Sequence, residues 1–364
     1  MAPVKYMDEY RDATLVKKLV HKINEVSRRK VAFMEICGGH TMAIHKFGIP
    51  SLLPSNIRLL SGPGCPVCVT GRGFIDKAIA YSHLDDVIVT TFGDLIRVPG
   101  SRSTLEKEKA NGADVRMVQS SLEAIQIARD NVNKKVVFLG IGFETTAPGS
   151  AVAVIQASKM GLDNFFLLSS HKIMPPAMTA LVDEGVQLDG YLAPGHVTTI
   201  TGTSMYHQIA SKYGLGVVVT GFEPIDILQG IYMLVNQVES SQPAVEIQYK
   251  RAVTESGNQK ARAILDEVFE LQDDWWRGLG ILPASGMKIR EKYRLFSAEA
   301  MIPIQPGETL EPRGCICGAV LKGIKSPSDC RLFAKECTPV NPVGSCMVSN
   351  EGACQAWYRY NRNT

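Results

Sequence analysis

Residues 31–45 read VAFMEICGGHTMAIH. The first six residues are mostly apolar, which is typical of a parallel strand that is buried on both faces. Two adjacent glycines then break the run, and the residues that follow are typical of a helix. A strand, a tight turn and a helix in this order predict a βα unit of a parallel sheet.

The same pattern recurs along the chain. Most of the later apolar runs also precede a Gly or Pro turn and a helical pattern, so the sequence predicts an α/β fold with mainly parallel sheets. A weak repeat, GIGFETTAP at 140–148 and VVTGFEPID at 218–226, indicates two related α/β domains that face a central cleft. The predicted strands are 31–36, 57–60, 87–91, 115–118, 136–139, 165–168, 191–193 and 217–220.

The composition changes after residue 238. The segment SSQPAVEIQ at 240–248 is typical of a linker or an edge strand, residues 259–271 of a helix, and Pro, Gly and Cys dominate beyond residue 303. The cysteine-rich end is poor in apolar residues, so it needs a metal or disulfides to hold it. We therefore expect three domains: 1–130 with the first two cysteine loops, 131–240 with GFETTAP and PGHV, and a small C-terminal domain, 241–364.

Composition and charge exclude several classes of protein. Hydrophobic residues make up 45% and charged residues 21% of the 364 residues, as in an ordinary soluble globular protein. A net charge of +3 and the lack of a dense basic run argue against nucleic acid as a partner. The N-terminal MAPVKYMDEYRD does not resemble a signal peptide, and no apolar run approaches the ~20 residues that span a bilayer. We expect a cytoplasmic protein, where thiols stay reduced.

Polar residues follow the predicted strands at their carboxyl ends. In open α/β sheets, ligands bind in the crevice outside these ends, so we expect the loops to converge on a single cleft. The residues concerned are Cys37, His40, Cys65, Cys68, Asp94, Glu144, His171, His196 and Glu223.

Cys65 and Cys68 stand in GPGCPVC, between a predicted strand and a predicted helix at 73–80. The first thiol lies near a helix N-terminus, where the helix dipole favours the thiolate. A CxxC pair is found in thioredoxin-like disulfides, in metal sites and in purely structural roles. The flanking glycines and prolines fix an unusual loop and favour a functional role, which makes the site nucleophilic, redox-active or metal-binding.

Cys37 and His40, in CGGH, form a second candidate site. Glycines beside the cysteine let the backbone approach a ligand closely, and a thiolate with an imidazole suits a transition metal such as iron. His40 could instead serve the thiol as a base or hydrogen-bond partner. A buried cysteine beside a helix-capping histidine is the structural alternative. His45, one turn further along, is typical of a packing histidine.

Six of the nine cysteines lie near the C-terminus. Zinc modules more typically show two CxxC or HxxxH pairs, and neither pattern occurs here. Four irregularly spaced thiolates suit an iron-sulfur cluster better, and disulfides are the alternative. Spacing does not decide which four bind. These residues are Cys315, Cys317, Cys330, Cys337, Cys346 and Cys354.

Several long motifs resemble the HypD family, the maturation factors that help to build the iron half of the nickel-iron hydrogenase site. They occur in the family's order over residues 31–360. The motifs are MEICGGHTMAIHKFGI, GPGCPVCVT, TFGDLIRVPG, GFETTAPG, APGHV, PSDC, NPVGSCMVS and EGAC.

The resemblance implies a scaffold with redox activity, whose status as an enzyme it leaves open. Proteins of this family hold an iron ion while it receives two cyanides and one carbon monoxide, and they act as a monomer or in hetero-complexes. A HypC-type chaperone takes part, and cyanide arrives as a thiocyanate on a HypE-type partner that works with a HypF-type protein. The family fold implies two α/β domains around a cleft and a third domain with a 4Fe-4S cluster.

The resemblance also implies roles for particular residues. Cys37 matches the cysteine that holds the iron, with His40 nearby and Cys65 and Cys68 as neighbouring redox or ligand thiols. As a further hypothesis, Glu144 and His196 lie around the cleft and could hydrogen-bond cyanide nitrogens or relay protons, with a structural role for each as the alternative. By analogy with ferredoxin:thioredoxin reductase, the cluster ligands are Cys315, Cys330, Cys337 and Cys354, and the adjacent redox pair is Cys317 and Cys346.

Two other classes of function remain open from the sequence. A thiol-disulfide oxidoreductase could reduce a partner protein through the cluster without iron at Cys37. A structural zinc protein would be colourless after anaerobic purification, whereas a cluster protein would be brown.

Overall fold

The described chain, residue 5 and residues 7–361, contains two parallel sheets and one antiparallel hairpin in this computed structural model. The strands are β1 Val31–Glu35, β2 Ile57–Ser61, β3 Val87–Thr91, β4 Val115–Met117, β5 Lys135–Gly142, β6 Phe165–His171, β7 Gly190–Pro194, β8 Gly216–Thr220, β9 Val245–Ile247, β10 Phe269–Trp276 and β11 Gly280–Ile289. The first sheet has the order β2-β1-β7-β8-β9 and the second has the order β4-β3-β5-β6.

Helices connect and cover these sheets. They are α1 Ala13–Val26, α2 Gly38–Lys46, α3 Ile49–Leu52, α4 Pro66–Val69, α5 Arg72–Ser82, α6 Leu105–Ala110, α7 Ser121–Asp130, α8 Ala147–Lys159, α9 Pro175–Asp183, α10 Gly195–Thr201, α11 His207–Tyr213, α12 Pro224–Ser240, α13 Gln259–Val268, α14 Ala298–Met301, α15 Cys317–Leu321 and α16 Ala353–Tyr360. Short 3-10 helices add Asp8–Tyr10, Gly93–Arg97, Ser204–Tyr206, Glu291–Phe296, Pro327–Asp329 and Ser345–Met347.

The predicted α/β class is confirmed, and each predicted strand coincides with one of β1 to β8. All neighbouring strands within the two sheets are parallel. In β3, β7 and β8 every residue is buried, because helices cover both faces of the sheets. This burial is the reason why these strands were recognisable as continuous apolar runs.

The chain crosses between the two sheets twice. It forms β1 and β2 of the first sheet, then β3 through β6 of the second sheet, and returns to the first sheet at β7. Each sheet therefore combines strands from both sides of residue 130, so the sheets do not divide the chain where the sequence analysis divides it. The domain limits themselves remain a prediction.

Beyond residue 240 the structure differs from the sequence-based expectation in one place. The segment 240–248 contributes the edge strand β9, one of its two predicted forms. The helix expected over 259–271 ends at Val268, and the next residues form β10 of the hairpin. Half-buried and exposed residues alternate along β10 between its two buried ends, which is the pattern of a strand with one face towards the core. The pairing of β10 with β11 outweighs the helical pattern of the last three residues.

The cysteine-rich end packs directly on the first cysteine loops. Helix α16 lies against α2, which follows Cys37, and the 3-10 helix Ser345–Met347 lies against α4 of the CxxC loop. The hairpin turn touches the same end, because Gly278 is in close contact with Gly318 of α15. No helix among the described residues is long and apolar enough to span a membrane.

Candidate functional site

Cys37 stands where β1 passes into α2, at the N-cap of that helix. Its backbone N–H donates to Oε2 of Glu35 over 3.1 Å, and the Thr41 hydroxyl donates to the other oxygen of the same carboxylate. The loop of Gly64 closes over the other side, where Gly38 N–H donates to the Gly64 carbonyl over 3.0 Å. A side chain at Gly64 would collide with the Cys37 backbone, so glycine is needed for the two cysteine loops to meet.

The Cys37 thiol is 4% exposed. Burial raises its pKa, and the nearby Glu351 carboxylate raises it further, whereas the N–H groups of His40 and Gly39 act in the opposite direction. The free thiol is therefore neutral at physiological pH. A metal ion that binds there would have to displace the thiol proton.

His40 lies behind Cys37, fully buried and stacked on Phe222 with ring centroids 4.6 Å apart. Its Nε2 is 2.9 Å from the Gly221 carbonyl oxygen and 2.9 Å from the Thr220 hydroxyl. A carbonyl only accepts, so Nε2 carries the proton. Burial lowers the pKa of His40 to about 4, which keeps the ring neutral. Nδ1 is then a buried lone pair, and no hydrogen-bond partner contacts it.

His196 also contacts Phe222, with ring centroids 5.1 Å apart, and is exposed at the surface of α10. Phe222 therefore contacts both histidines, one buried near Cys37 and one open to solvent. Phe222 thus brings His196 near His40 of the Cys37 loop, and the roles assigned to Cys37, His40 and His196 remain predictions.

Cys65 and Cys68 are joined by a disulfide and are both buried. Cys65 is the N-cap of α4, and the Cys68 N–H donates to the Cys65 sulfur over 3.2 Å. The Ser345 hydroxyl donates to the Cys68 carbonyl oxygen over 3.1 Å. Since Ser345 precedes Cys346, this bond connects the disulfide loop to the C-terminal cysteines.

Five C-terminal thiols surround a small cavity. They belong to Cys315, Cys317, Cys330, Cys337 and Cys354. The sixth, Cys346, is fully buried beside them, and its thiol interacts with those of Cys317 and Cys354. The sulfur of Cys317 also lies 3.2 Å from that of Cys315.

The donor groups around this cavity are all thiols, and thiolates are the ligand type that holds Fe-S clusters. In the described part of the chain, no group of three or more His, Cys, Asp or Glu side chains is arranged to hold one metal ion. All four cysteines that the sequence analysis assigned as ligands line the cavity, whereas Cys346 of the assigned redox pair lies outside it, against Cys317.

Two buried arginines flank the thiol cavity. Arg72 donates to the carbonyl oxygens of Leu310 and Val343, and Arg277 donates to the Glu311 carboxylate and to the Thr70 carbonyl. Both guanidinium groups are at most 6% exposed, and Nε of each has no hydrogen-bond partner. Their charges lie close enough to act electrostatically on Cys315.

Glu144 follows β5, and His171 is the last residue of β6. Glu144 lines a different cavity, one that none of the cysteines lines. His171 is buried at the end of β6, where Nε2 is 2.8 Å from the Ser150 hydroxyl and the ring lies against Phe269. The cleft role of Glu144 remains a prediction.

Sequence reasoning missed four charged residues of this region. Glu35 carried a usable signal, because a carboxylate inside a buried apolar strand needs a partner. Glu351 packs against Gly38, and Arg72 and Arg277 reach the thiol cavity, only through contacts between distant parts of the chain. No local pattern marks these three.

Comparison with known proteins gives the same assignment as the motifs. The family model HypD, described as "Hydrogenase formation hypA family", matches residues 14–361. The chain belongs to the HypD family.

Relatives of this HypD chain match it over nearly their whole length. It is 46% identical over 369 residues to the hydrogenase maturation factor HypD of Azotobacter vinelandii, covering 99% of this chain and 97% of the relative. The factor of the same name from Cupriavidus necator is 44% identical over 370 residues, with 99% and 98% covered. A putative hydrogenase expression/formation protein of Methanocaldococcus jannaschii is 45% identical over 358 residues, with 98% and 100% covered. The resemblance seen in the motifs is confirmed.

Proposed function

We propose that this protein is a maturation factor for nickel-iron hydrogenase and the scaffold on which the Fe(CN)2CO unit is assembled. The observation that carries the proposal is a pair of hydrogen bonds: Gly38 beside Cys37 bonds to the loop of Cys65 and Cys68, and that loop bonds to Ser345 of the C-terminal cysteine region. The names of the relatives, hydrogenase maturation factors, support it.

The iron ion is the cargo in this proposal, and Cys37 is its ligand. The thiolate forms when the metal displaces the proton that burial otherwise keeps on the sulfur. His40 offers a second metal ligand on the same loop, because its Nδ1 is unprotonated and has no hydrogen-bond partner. Thiolate and cyanide ligands together favour low-spin ferrous iron.

The C-terminal cavity is the proposed site of a 4Fe-4S cluster held by Cys315, Cys330, Cys337 and Cys354. When bound, such a cluster supplies electrons one at a time. Reduction of the Cys65–Cys68 disulfide takes two electrons and two protons and yields two thiols. Cys317 and Cys346 would connect the cavity to the disulfide, since Cys346 interacts with Cys317 of the cavity wall and follows the serine that bonds to the Cys68 carbonyl.

The proposed partners follow from the chemistry of cyanide transfer. A HypC-type chaperone would share the iron, and a HypE-type protein, charged with the help of a HypF-type protein, would bring cyanide as a thiocyanate. Release of cyanide from a thiocyanate is a two-electron reduction that leaves a thiol on the donor. The reduced Cys65 and Cys68 thiols supply those electrons and return to the disulfide.

The alternative is a thiol-disulfide oxidoreductase that reduces a partner protein through the cluster, with no iron at Cys37. The buried disulfide beside the thiol cavity favours this function as well. The Cys37→Ser variant separates the two: the scaffold loses hydrogenase maturation, whereas the oxidoreductase keeps its ability to reduce a partner and supports maturation. We would measure the activity of hydrogenase purified from cells that carry the variant. The cluster absorbance of the variant is the control for folding.

A further inference from the structure

Two arginines reach the C-terminal thiols from distant parts of the chain. Arg72 begins α5, and Arg277 lies in the short loop between β10 and β11. The backbone of Arg277 is fixed, because its N–H donates to the Val69 carbonyl oxygen over 2.9 Å. Its guanidinium group donates to the Thr70 carbonyl oxygen over 3.4 Å. Arg277 is therefore held between the loop of the Cys65–Cys68 disulfide and the thiol cavity.

The two guanidinium groups are buried positive charges. Arg277 forms an ion pair over 3.0 Å with Glu311, whose side chain is 51% exposed. Arg72 forms no ion pair among the described residues, and Asp76 and Glu311 act on it only from beyond ion-pair distance. Burial lowers the pKa of Arg72, and the like charge of Arg277 lowers it further. Since arginine stays protonated in proteins, both charges need a buried negative partner.

The cavity thiols become such a partner when they bind metal. The charge of Arg277 acts on the thiols of Cys315 and Cys346. The charge of Arg72 also interacts with Cys315. A 4Fe-4S cluster with four thiolate ligands is an anion, and its negative charge increases when it takes up an electron. The net charge around a cluster is one of the factors that set its reduction potential.

Arg72 is also connected to the cavity through one peptide group. Its guanidinium group donates to the Val343 carbonyl oxygen over 3.2 Å. The same peptide group carries the Gly344 N–H, which donates to the Cys337 thiol. The Val343 N–H donates to the Cys337 sulfur as well, over 3.4 Å. Arg72 thus holds and polarises a donor to one of the assigned cluster ligands, and hydrogen bonds to the sulfurs also set the reduction potential.

We propose that Arg72 and Arg277 balance the negative charge of the cluster in the thiol cavity and raise its reduction potential. The inference rests on the proposed function, because it takes this cavity as the cluster site. Both cations stabilise the reduced cluster more than the oxidised cluster, since the reduced cluster carries more negative charge. Neither arginine is a cluster ligand, and both are positioning residues that act on the cluster through space and through the peptide group.

An anaerobic redox titration of the full chain tests the inference. Dithionite donates one electron to each cluster, and electron paramagnetic resonance measures the reduced form. In Arg277→Gln the equilibrium constant for reduction should fall ~10-fold, which lowers the midpoint potential by about 59 mV for a one-electron couple. Arg72→Gln should shift the potential in the same direction. Arg277→Lys keeps the charge and should remain closer to the wild type than Arg277→Gln.

Two further variants separate charge from packing. Glu311→Gln removes the half-exposed partner of Arg277, leaves the positive charge unpaired and should raise the potential. Arg129→Gln removes an exposed guanidinium group that is bonded to Gln126, and it should keep the wild-type potential. Since Glu311 is at the surface, its variant gives a reading even where the arginine variants do not hold a cluster.

Three results would overturn the inference while the cluster is intact: equal potentials in wild type and Arg277→Gln, equal shifts in Arg277→Gln and Arg277→Lys, or an unchanged or lowered potential in Glu311→Gln. The second result would assign the shift to packing. Iron and acid-labile sulfide are measured in every preparation. A wild type without either would overturn the proposed cluster site together with the inference, so the two failures are distinguishable.

Discussion

The Ser345 hydroxyl donates a hydrogen bond to the carbonyl oxygen of Cys68 over 3.1 Å. This hydrogen bond joins the C-terminal cysteine region to the loop that holds the Cys65–Cys68 disulfide. Ser345 and Cys68 are both buried, so water does not compete for this hydrogen bond and the two regions stay at a fixed distance. Ser345 thus sets how Cys346 approaches the disulfide.

Replacement of Ser345 by Ala should lower the free energy of unfolding by about 1–3 kcal/mol, because the Cys68 carbonyl stays buried without this donor. When dithionite supplies electrons to the protein, the Cys65–Cys68 disulfide should also be reduced more slowly in the variant than in the wild type. Thiol alkylation followed over time measures the rate. Ser51→Ala, which removes an exposed hydroxyl bonded to the Gly48 carbonyl, is the control. Equal rates in Ser345→Ala and wild type would contradict the prediction.

Gly344 lies against the thiol cavity. A Cβ at this position would lie 2.5 Å from the Cys317 sulfur and 2.8 Å from the Cys315 sulfur, so Gly344→Ala must push both thiols aside. We expect the variant to lose most of its iron and sulfide and the brown absorbance of the cluster. Iron and acid-labile sulfide are measured after anaerobic purification.

The matched control for Gly344 is Gly307→Ala, since a Cβ at Gly307 meets no atom within 4 Å. That variant should keep the wild-type iron content. Full cluster content in Gly344→Ala would show that the cavity does not hold the cluster.

Glu144 should make the stability of the protein depend on pH. Its pKa rises from an ordinary value of 4.5 to about 7 on folding, so the folded state holds the proton more tightly than the unfolded state. The contribution of Glu144 to stability is therefore fully present below about pH 4.5 and is lost as the pH rises towards 7. The loss amounts to about 3 kcal/mol at most.

Denaturant unfolding of Glu144→Gln at pH 5 and pH 8 measures this effect. The variant should lose less stability than the wild type between the two pH values, while Glu35, whose pKa burial raises to about 8, continues to act in both proteins. Glu106→Gln, at an exposed carboxylate, should follow the wild type. Parallel pH profiles for Glu144→Gln and wild type would show that the carboxyl is not desolvated in solution.

The strands of both sheets could be predicted from the sequence because buried parallel strands are short apolar runs between turns. The order of the strands within each sheet could not be predicted. Phe33 of β1 pairs with Gly190 of β7, and nothing local to either residue indicates a partner so distant in the chain. The hairpin after Val268 was missed for a related reason, since its alternating pattern directly continues a helix.

The candidate site could also be predicted only in part from the sequence. Cys37, His40, Cys65 and Cys68 were recognisable because glycine and proline mark the special backbone of their loops. The residues that surround them in the folded protein were not recognisable from the sequence. Glu351 raises the pKa of Cys37 from a position more than 300 residues away along the chain, and only folding brings the two side chains together.

The most direct test of the scaffold proposal is an infrared spectrum of the anaerobically isolated protein, co-expressed with HypC-, HypE- and HypF-type partners, in the region where metal-bound cyanide and carbon monoxide absorb. Bands should appear in the wild type and vanish in Cys37→Ala, while the brown absorbance of the cluster remains in both. A wild-type preparation with an intact cluster and active partners but without these bands would contradict the scaffold and leave thiol reduction as the function.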